Sequence, residues 1–339
     1  MKKQPLLNVI NLRTHFYTET GQVTAVNGLS FTINEGEIVG LVGESGCGKS
    51  VTSQSILRLY DEKMVAYEGE ILLRGEDLLQ LSKKQMQNIS GNEISMVFQD
   101  ALSALNPVFT IGKQISEPLI RHQKLSKKEA NNRAIELLKL TGIPAPEKRI
   151  NEYPHQLSGG MRQRVMIAIA LACEPSLLIA DEPTTALDVT IQAQILNLMK
   201  TLNQDSKMGI IFITHDLGVV AELCDRVMVM YLGQIVEEAD VHTLFQHPLH
   251  PYTRGLLKSI PQLTGDRTQD LHVIHGNVPS LTNKPIGCGF STRCPYADNK
   301  CREELPELKA HNNNHKVRCW YSDEILKKEG SEYVITAKI

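Results

Sequence analysis

This sequence predicts an α/β protein built on a mainly parallel sheet, and three observations predict it. Short apolar runs rich in β-branched residues alternate with stretches of helical spacing. One such run, Glu37 to Val42, leads directly into Gly43 to Ser50, GESGCGKS, which fits G-x-x-x-x-G-K-[ST]. Three later runs end in Gln99, Asp181 and His215. Ligands on such sheets collect at the carboxyl ends of strands, so Gly43, Gln99, Asp181 and His215 are expected to converge.

In chain order, Leu6 to Asn34 holds two alternating runs around Thr20-Gly21 and predicts an antiparallel β start. Phe16 and Tyr17 lie near the end of the first run. An aromatic there either stacks on a purine base or fills a hairpin core. The strand, glycine loop and following helix, Ser50 to Tyr60, aim backbone N–H groups and a helix N-terminus at one point, which suits a polyphosphate. Gly43, Glu44, Ser45, Gly46, Cys47, Gly48, Lys49, Ser50 and Val51 are the candidate nucleotide contacts. Lys49 would reach the β and γ phosphates, and the Ser50 hydroxyl would take a place on Mg²⁺. Cys47 stands where a helix N-terminus favours thiolate. Alkylation is therefore expected to inhibit, and MgATP to slow it.

Further on, Glu68 to Leu73 suits a strand, Glu76 to Gly91 is polar, and Ile94 to Phe98 is a third apolar run. Helices are predicted at Ile115 to Ile120 and Lys127 to Gly142, inside a helical insertion spanning about 100–164. Leu157-Ser158-Gly159-Gly160-Met161 opens a further helix, Arg162 to Ala172, with Ser158 as a cap and Cys173 as a core residue. Then come strands at Leu177 to Ala180, Gly209 to Thr214 and Arg226 to Tyr231, with a helix at Ile191 to Asn203. After Leu244 the chain turns proline- and histidine-rich, which reads as a junction.

The 339 residues leave room for a large core and one small extra domain. A formal net charge of −2 gives no basic footprint for nucleic acid. No apolar run is long enough to span a bilayer, and the N-terminus lacks the features of a signal peptide, so a cytoplasmic protein is expected. Four of the 7 cysteines, Cys288, Cys294, Cys301 and Cys319, crowd into the tail as C-x₅-C-x₆-C-x₁₇-C. Four thiolates suit tetrahedral Zn²⁺ or an iron–sulfur cluster, with free thiols as the plain alternative. There is no C-x-x-C knuckle, which weakens the zinc reading.

Phosphoryl transfer to water needs a placed metal, charge neutralisation and an oriented nucleophile. Ser50, Gln99 and Asp181 are candidate Mg²⁺ contacts. Glu182 is the candidate general base, and His215 would hold the γ-phosphate and the water. Each alone is a weak signal; their order and spacing carry the argument.

The set GESGCGKS, VFQD, LSGGMRQR, LLIADEP, ALD and ITHD resembles the ATPase subunits of ATP-binding-cassette transporters. That resemblance implies a P-loop NTPase fold and a head-to-tail pair of ATPase subunits. Ser158, Gly159 and Gly160 of one would act on the other's ATP, and Asp188 would lie in the dimer-contact loop. It also places Phe16, or failing it Tyr17, against adenine. SALNPVFTIGKQI, ALDVTIQAQIL, HPLHPYTRGLL and the cysteine tail are similar to the ATPase subunits of bacterial dipeptide and oligopeptide importers. This narrower resemblance implies a nucleotide-binding domain over 1–255 and a C-terminal domain over 256–339. It implies a [4Fe–4S] cluster on the four tail cysteines, with zinc second. It implies a second, related ATPase subunit, two transmembrane permease subunits and an extracytoplasmic peptide-binding protein. The location implied is the cytoplasmic face of the membrane. Nickel chelates and antimicrobial peptides use related motors and stay open as substrates. A soluble cassette ATPase acting on nucleic acid or in translation, and a non-catalytic regulator, are the competing classes. The first would need long coiled coils, two cassettes or basic charge; the second is opposed by Glu182 and His215.

Overall fold

The computed structural model describes residues 4–19, 21–184, 187–260, 272–312 and 314–329. They form two compact units, each assembled from separated segments. The first comprises the N-terminal residues through Leu7, Thr32–Ile38 and Leu72–Ile213; the second comprises Asn8–Phe31, Val39–Ile71 and the chain from Thr214 on.

In the first unit, strands Ile94–Val97, Leu177–Asp181 and Gly209–Thr214 run parallel in that order. Every residue in them is buried. They read as unbroken apolar runs because both faces of a parallel sheet are covered. The polar segment after Leu73 contains a helix, Lys83–Ile89, started by a capping box between Ser82 and Gln85. Helices Ile111–His122 and Lys127–Leu140 pack on each other and on Gly159–Leu171. The first is twice the length predicted, because Thr110 caps it four residues earlier and Pro118 is accommodated inside it. Ser158 does cap the Gly159 helix, its Oγ accepting from the Met161 N–H at 3.3 Å, and Cys173 is buried as expected. Two polar side chains on that helix are buried too. Gln163 donates to the Pro183 carbonyl at 2.7 Å, and Arg164 to the Thr141 and Gly142 carbonyls.

In the second unit, Leu7–Thr18 and Gly21–Ile33 form the expected antiparallel start, and Val65–Leu73 joins the same sheet. Thr20 of the expected turn lies outside the described residues. Strand Ile38–Val42 pairs in parallel with Arg226–Tyr231, Val39 opposite Arg226. Three antiparallel strands follow: Gln234–Asp240, His315–Val317 and Lys309–Asn312. The cysteine-bearing tail thus supplies strands to a mixed sheet. Glu237, fully buried, fastens this join. Its carboxylate accepts from the Leu249 and His250 amides at 2.6 and 2.9 Å and lies 2.7 Å from His315 Nε2. The helix after the glycine loop is Lys49–Ile56, shorter than predicted. Arg58 has φ of 50°, a left-handed conformation that a helix does not continue through.

Candidate functional site: a phosphate loop and a carboxylate turn

The second unit holds the phosphate loop. Strand Ile38–Val42 delivers the chain to Gly43, where an added Cβ would lie 2.3 Å from the Met230 carbonyl. Only glycine fits this approach. Gly48 caps the helix with φ of 105°, no side chain bonds the helix start, and no acidic residue stands in the first turn. Its first amides therefore remain for an anion. Lys49 is buried, and its Nζ donates to the Gly43 and Glu44 carbonyls at 2.7 and 3.1 Å. Ser45 and Gly46 are exposed at the loop's crest, and Ser50 and Val51 are half-buried on the first turn. The donor set fits a polyphosphate with its cation: a cradle of amides closed by a lysine, followed by a hydroxyl.

Cys47 corrects one expectation. Its thiol has 0% exposure and is packed against Gly43, and burial raises its pKa in spite of Lys49 nearby. The thiolate argument from the helix N-terminus loses to desolvation, so Cys47 is a packing residue of the loop. Of the two aromatics, Phe16 meets Tyr60 edge-on at 4.9 Å, while Tyr17 is 53% exposed.

The first unit holds the carboxylate turn. Asp181 ends its strand buried, opposite Ile213 in register. Glu182 follows with φ of 46°, its N–H donating to the Ile213 carbonyl at 2.9 Å. This turn swings the Glu182 side chain to Gln99, whose Nε2 donates to Glu182 Oε2 at 3.0 Å. Gln163 holds the next carbonyl, that of Pro183. A carboxylate set beside an amide at a fixed turn can orient a water and take its proton. Ser158 and Gly159 are exposed at the helix start and Gly160 is half-buried. Asp188 caps helix Val189–Ser206 by accepting from the Ile191 N–H at 2.9 Å. Thr185 and Ala186 of the same motif lie outside the described residues. In the second unit, His215 is exposed, immediately after Thr214, whose Oγ1 accepts from the Asp216 N–H.

Cys288, Cys294, Cys301 and Cys319 line one small cavity with His250, Phe290, Trp320 and Tyr321. The Cys288 N–H donates to the Cys301 carbonyl at 2.8 Å. Burial pushes all four thiols up, Cys294 to about 11 and Cys319 to about 12. Among the described residues no three His, Cys, Asp or Glu side chains are placed to hold one metal ion. Neither the zinc nor the iron–sulfur reading finds a ready ligand set among them.

Two residues that fix the phosphate loop escaped the sequence reading. The Glu44 N–H donates to Tyr252 Oη at 2.7 Å, and the Arg293 guanidinium donates to both Glu44 carboxylate oxygens. Each lies within a stretch that the sequence did single out, HPLHPYTRGLL and the cysteine run. Nothing local links either to Glu44, 208 and 249 residues away.

Comparisons with known proteins identify the family. The ABC transporter family profile matches residues 26–185, and the oligopeptide/dipeptide transporter C-terminal region matches 236–301. The chain is 52% identical to a probable peptide ABC transporter ATP-binding protein, y4tR, of Sinorhizobium fredii, over 96% of this chain and 97% of that one. It is 53% identical to the oligopeptide transport ATP-binding protein AppD of Bacillus subtilis, over 96% and 98%. Among solved structures it is similar to the dimeric post-hydrolysis ATP-binding cassette MJ0796 bound to ADP and Pi. That match has a TM-score of 0.63 and 31% identity and covers 69% of this chain and 98% of that one. An ATP-hydrolysing cassette is the class that fold and loop define. The chain belongs to the family of ATP-binding-cassette transporter ATPase subunits, in its oligopeptide/dipeptide branch.

Proposed function

We propose that this chain is an ATP-hydrolysing motor subunit of a bacterial peptide importer. The observation that carries phosphate binding is the uncapped helix start behind Gly43–Ser50, and within the other unit the Glu182–Gln99 contact supports the hydrolytic role. The loop amides and Lys49 bind and orient the polyphosphate; Ser50, Gln99 and Asp181 would hold its Mg²⁺. Mg²⁺, when bound, neutralises phosphate charge. Glu182 takes the proton of the attacking water, and His215 holds the γ-phosphate. Ser158, Gly159 and Gly160 present another helix start, which on this reading serves a partner subunit's ATP.

The remaining partners follow from the branch: a second related ATPase chain, two permease subunits and an extracytoplasmic peptide-binding protein. Among the described residues no helix is long and apolar enough to cross a membrane, so this chain would sit on the permease peripherally. An open groove on the helical insertion, lined by Phe109, Lys113, Ile120 and Arg121, supports docking there. Leu102 and Val108, 60% and 71% exposed, lie on the same insertion. The test is uptake of labelled oligopeptide into vesicles carrying the whole complex. Uptake should need ATP and stop on Lys49→Ala; uptake unaffected by that change would refute the reading.

For the tail, the shared cavity of Cys288, Cys294, Cys301 and Cys319 supports a [4Fe–4S] cluster. A cluster is wider than an ion, so its thiolates need not meet at one point. Its place would be structural, joining loops that have little apolar core. Protein purified without oxygen should show the broad visible absorption of an iron–sulfur centre. Zinc with no iron on elemental analysis would reverse that choice.

A further inference from the structure

The Arg293 side chain is only 3% exposed, and all five of its N–H donors are used. Nη1 donates to Glu44 Oε2 at 2.5 Å and to Tyr231 Oη at 3.3 Å. Nη2 donates to Glu44 Oε1 and the Ile274 carbonyl at 3.0 and 3.1 Å, and Nε to the His275 carbonyl at 3.1 Å. The guanidinium thus grips the carboxylate with both arms while three tail and sheet oxygens fix its plane. The Arg293 backbone N–H donates to the Phe290 carbonyl at 3.0 Å, and Phe290 packs against Tyr231 and Tyr252 at ring distances of 5.3 Å.

Glu44 is an acidic residue in a loop that receives a highly anionic ligand. Lys49 Nζ donates to its backbone carbonyl at 3.1 Å, so the residue that carries this charge is one that Lys49 touches. A carboxylate there would repel a polyphosphate and could swing toward Lys49 and pair with it. A bidentate arginine prevents both.

We propose that Arg293 is a positioning residue for nucleotide binding. Carried into the loop by the cysteine-bearing tail, it cancels the charge of Glu44 and holds that side chain away from Lys49. The proposal rests on Gly43–Ser50 being the ATP site, and it gives the tail a direct part in ATP affinity.

The test is ATP binding by the full-length chain, read with a fluorescent ATP analogue plus Mg²⁺, beside thermal melts of each variant. Arg293→Gln should weaken binding about tenfold, the size of one lost strong charge interaction. Adding Glu44→Gln to that variant should restore most of the affinity, because the repelling charge is then gone. Glu44→Gln alone is the reference against which the double variant is read, and Arg293→Lys should fall between Arg293→Gln and the parent. A purely structural arginine would give the opposite pattern, with the double variant no better than Arg293→Gln. That result, or wild-type affinity in a folded Arg293→Gln, overturns the proposal. If Arg293→Gln does not fold, Arg293→Lys with and without Glu44→Gln gives the same comparison. Failure of the unaltered chain to bind the analogue would instead sink the ATP-site reading.

Discussion

Tyr252→Phe isolates a single atom that holds the phosphate loop. The Tyr252 ring is fully buried and meets Tyr231 at 4.7 Å and Phe290 at 5.3 Å, so the aromatic packing survives the change. What is lost is the hydroxyl that accepts the Glu44 N–H at 2.7 Å. A part-buried amide left without its acceptor costs about 1–3 kcal/mol. Tyr252→Ala also empties the ring's volume and should cost about 3–5 kcal/mol. The two variants thus separate the hydrogen bond from the packing. The assay is urea unfolding with and without MgATP. Tyr252→Phe should lower the midpoint, and MgATP should protect it less than the parent, because the orphaned amide belongs to the loop that grips the nucleotide. A variant with the parent's midpoint and undiminished protection would refute the reasoning that Tyr252 Oη fixes the loop.

Three further outcomes follow from burial. Cys47 should react with a thiol-alkylating reagent only as fast as the protein unfolds, since its thiol is inaccessible and its pKa raised; mass spectrometry of the labelled peptide reads this. Fully buried His250 has its pKa pushed down to about 4, while its Nδ1 accepts the Tyr252 N–H. Between its ordinary pKa and that value the unfolded chain binds a proton that the folded one does not. Stability should therefore fall as pH drops from about 6.5 to 4, by about 3 kcal/mol from this group, and His250→Asn should flatten that part of the curve. Glu237→Leu leaves the Leu249 and His250 amides without their acceptor and His315 without its partner. It should destabilise the protein by about 3–5 kcal/mol in the same unfolding assay, and no loss would contradict the role given to Glu237.

Much of this was legible in the sequence because the motifs are local. A strand, GESGCGKS and a helix start are contiguous, so backbone geometry alone sets the loop. Ser158 could be read as a cap because its bond partner, Met161, is three residues on. Helix limits were harder. Arg58 in a left-handed conformation ends one helix early, and Thr110 starts another before its apolar pattern is evident. Hardest were contacts made by distant residues. Arg293 looks like a surface charge beside Cys294, and only folding shows it locked on Glu44. Cys47 failed for a related reason: its neighbours in sequence argue for a thiolate, but its neighbours in space exclude water.

Glu182 is the residue on which the hydrolytic chemistry turns most directly. Turnover and retention of ATP should be measured for Glu182→Gln in the complete transporter at saturating MgATP. Loss of a general base predicts hydrolysis slowed by about 10²–10⁴-fold with ATP still held, whereas Lys49→Ala should hold none. Hydrolysis by Glu182→Gln at the parent rate would contradict the assignment of the base and the chemistry built on it.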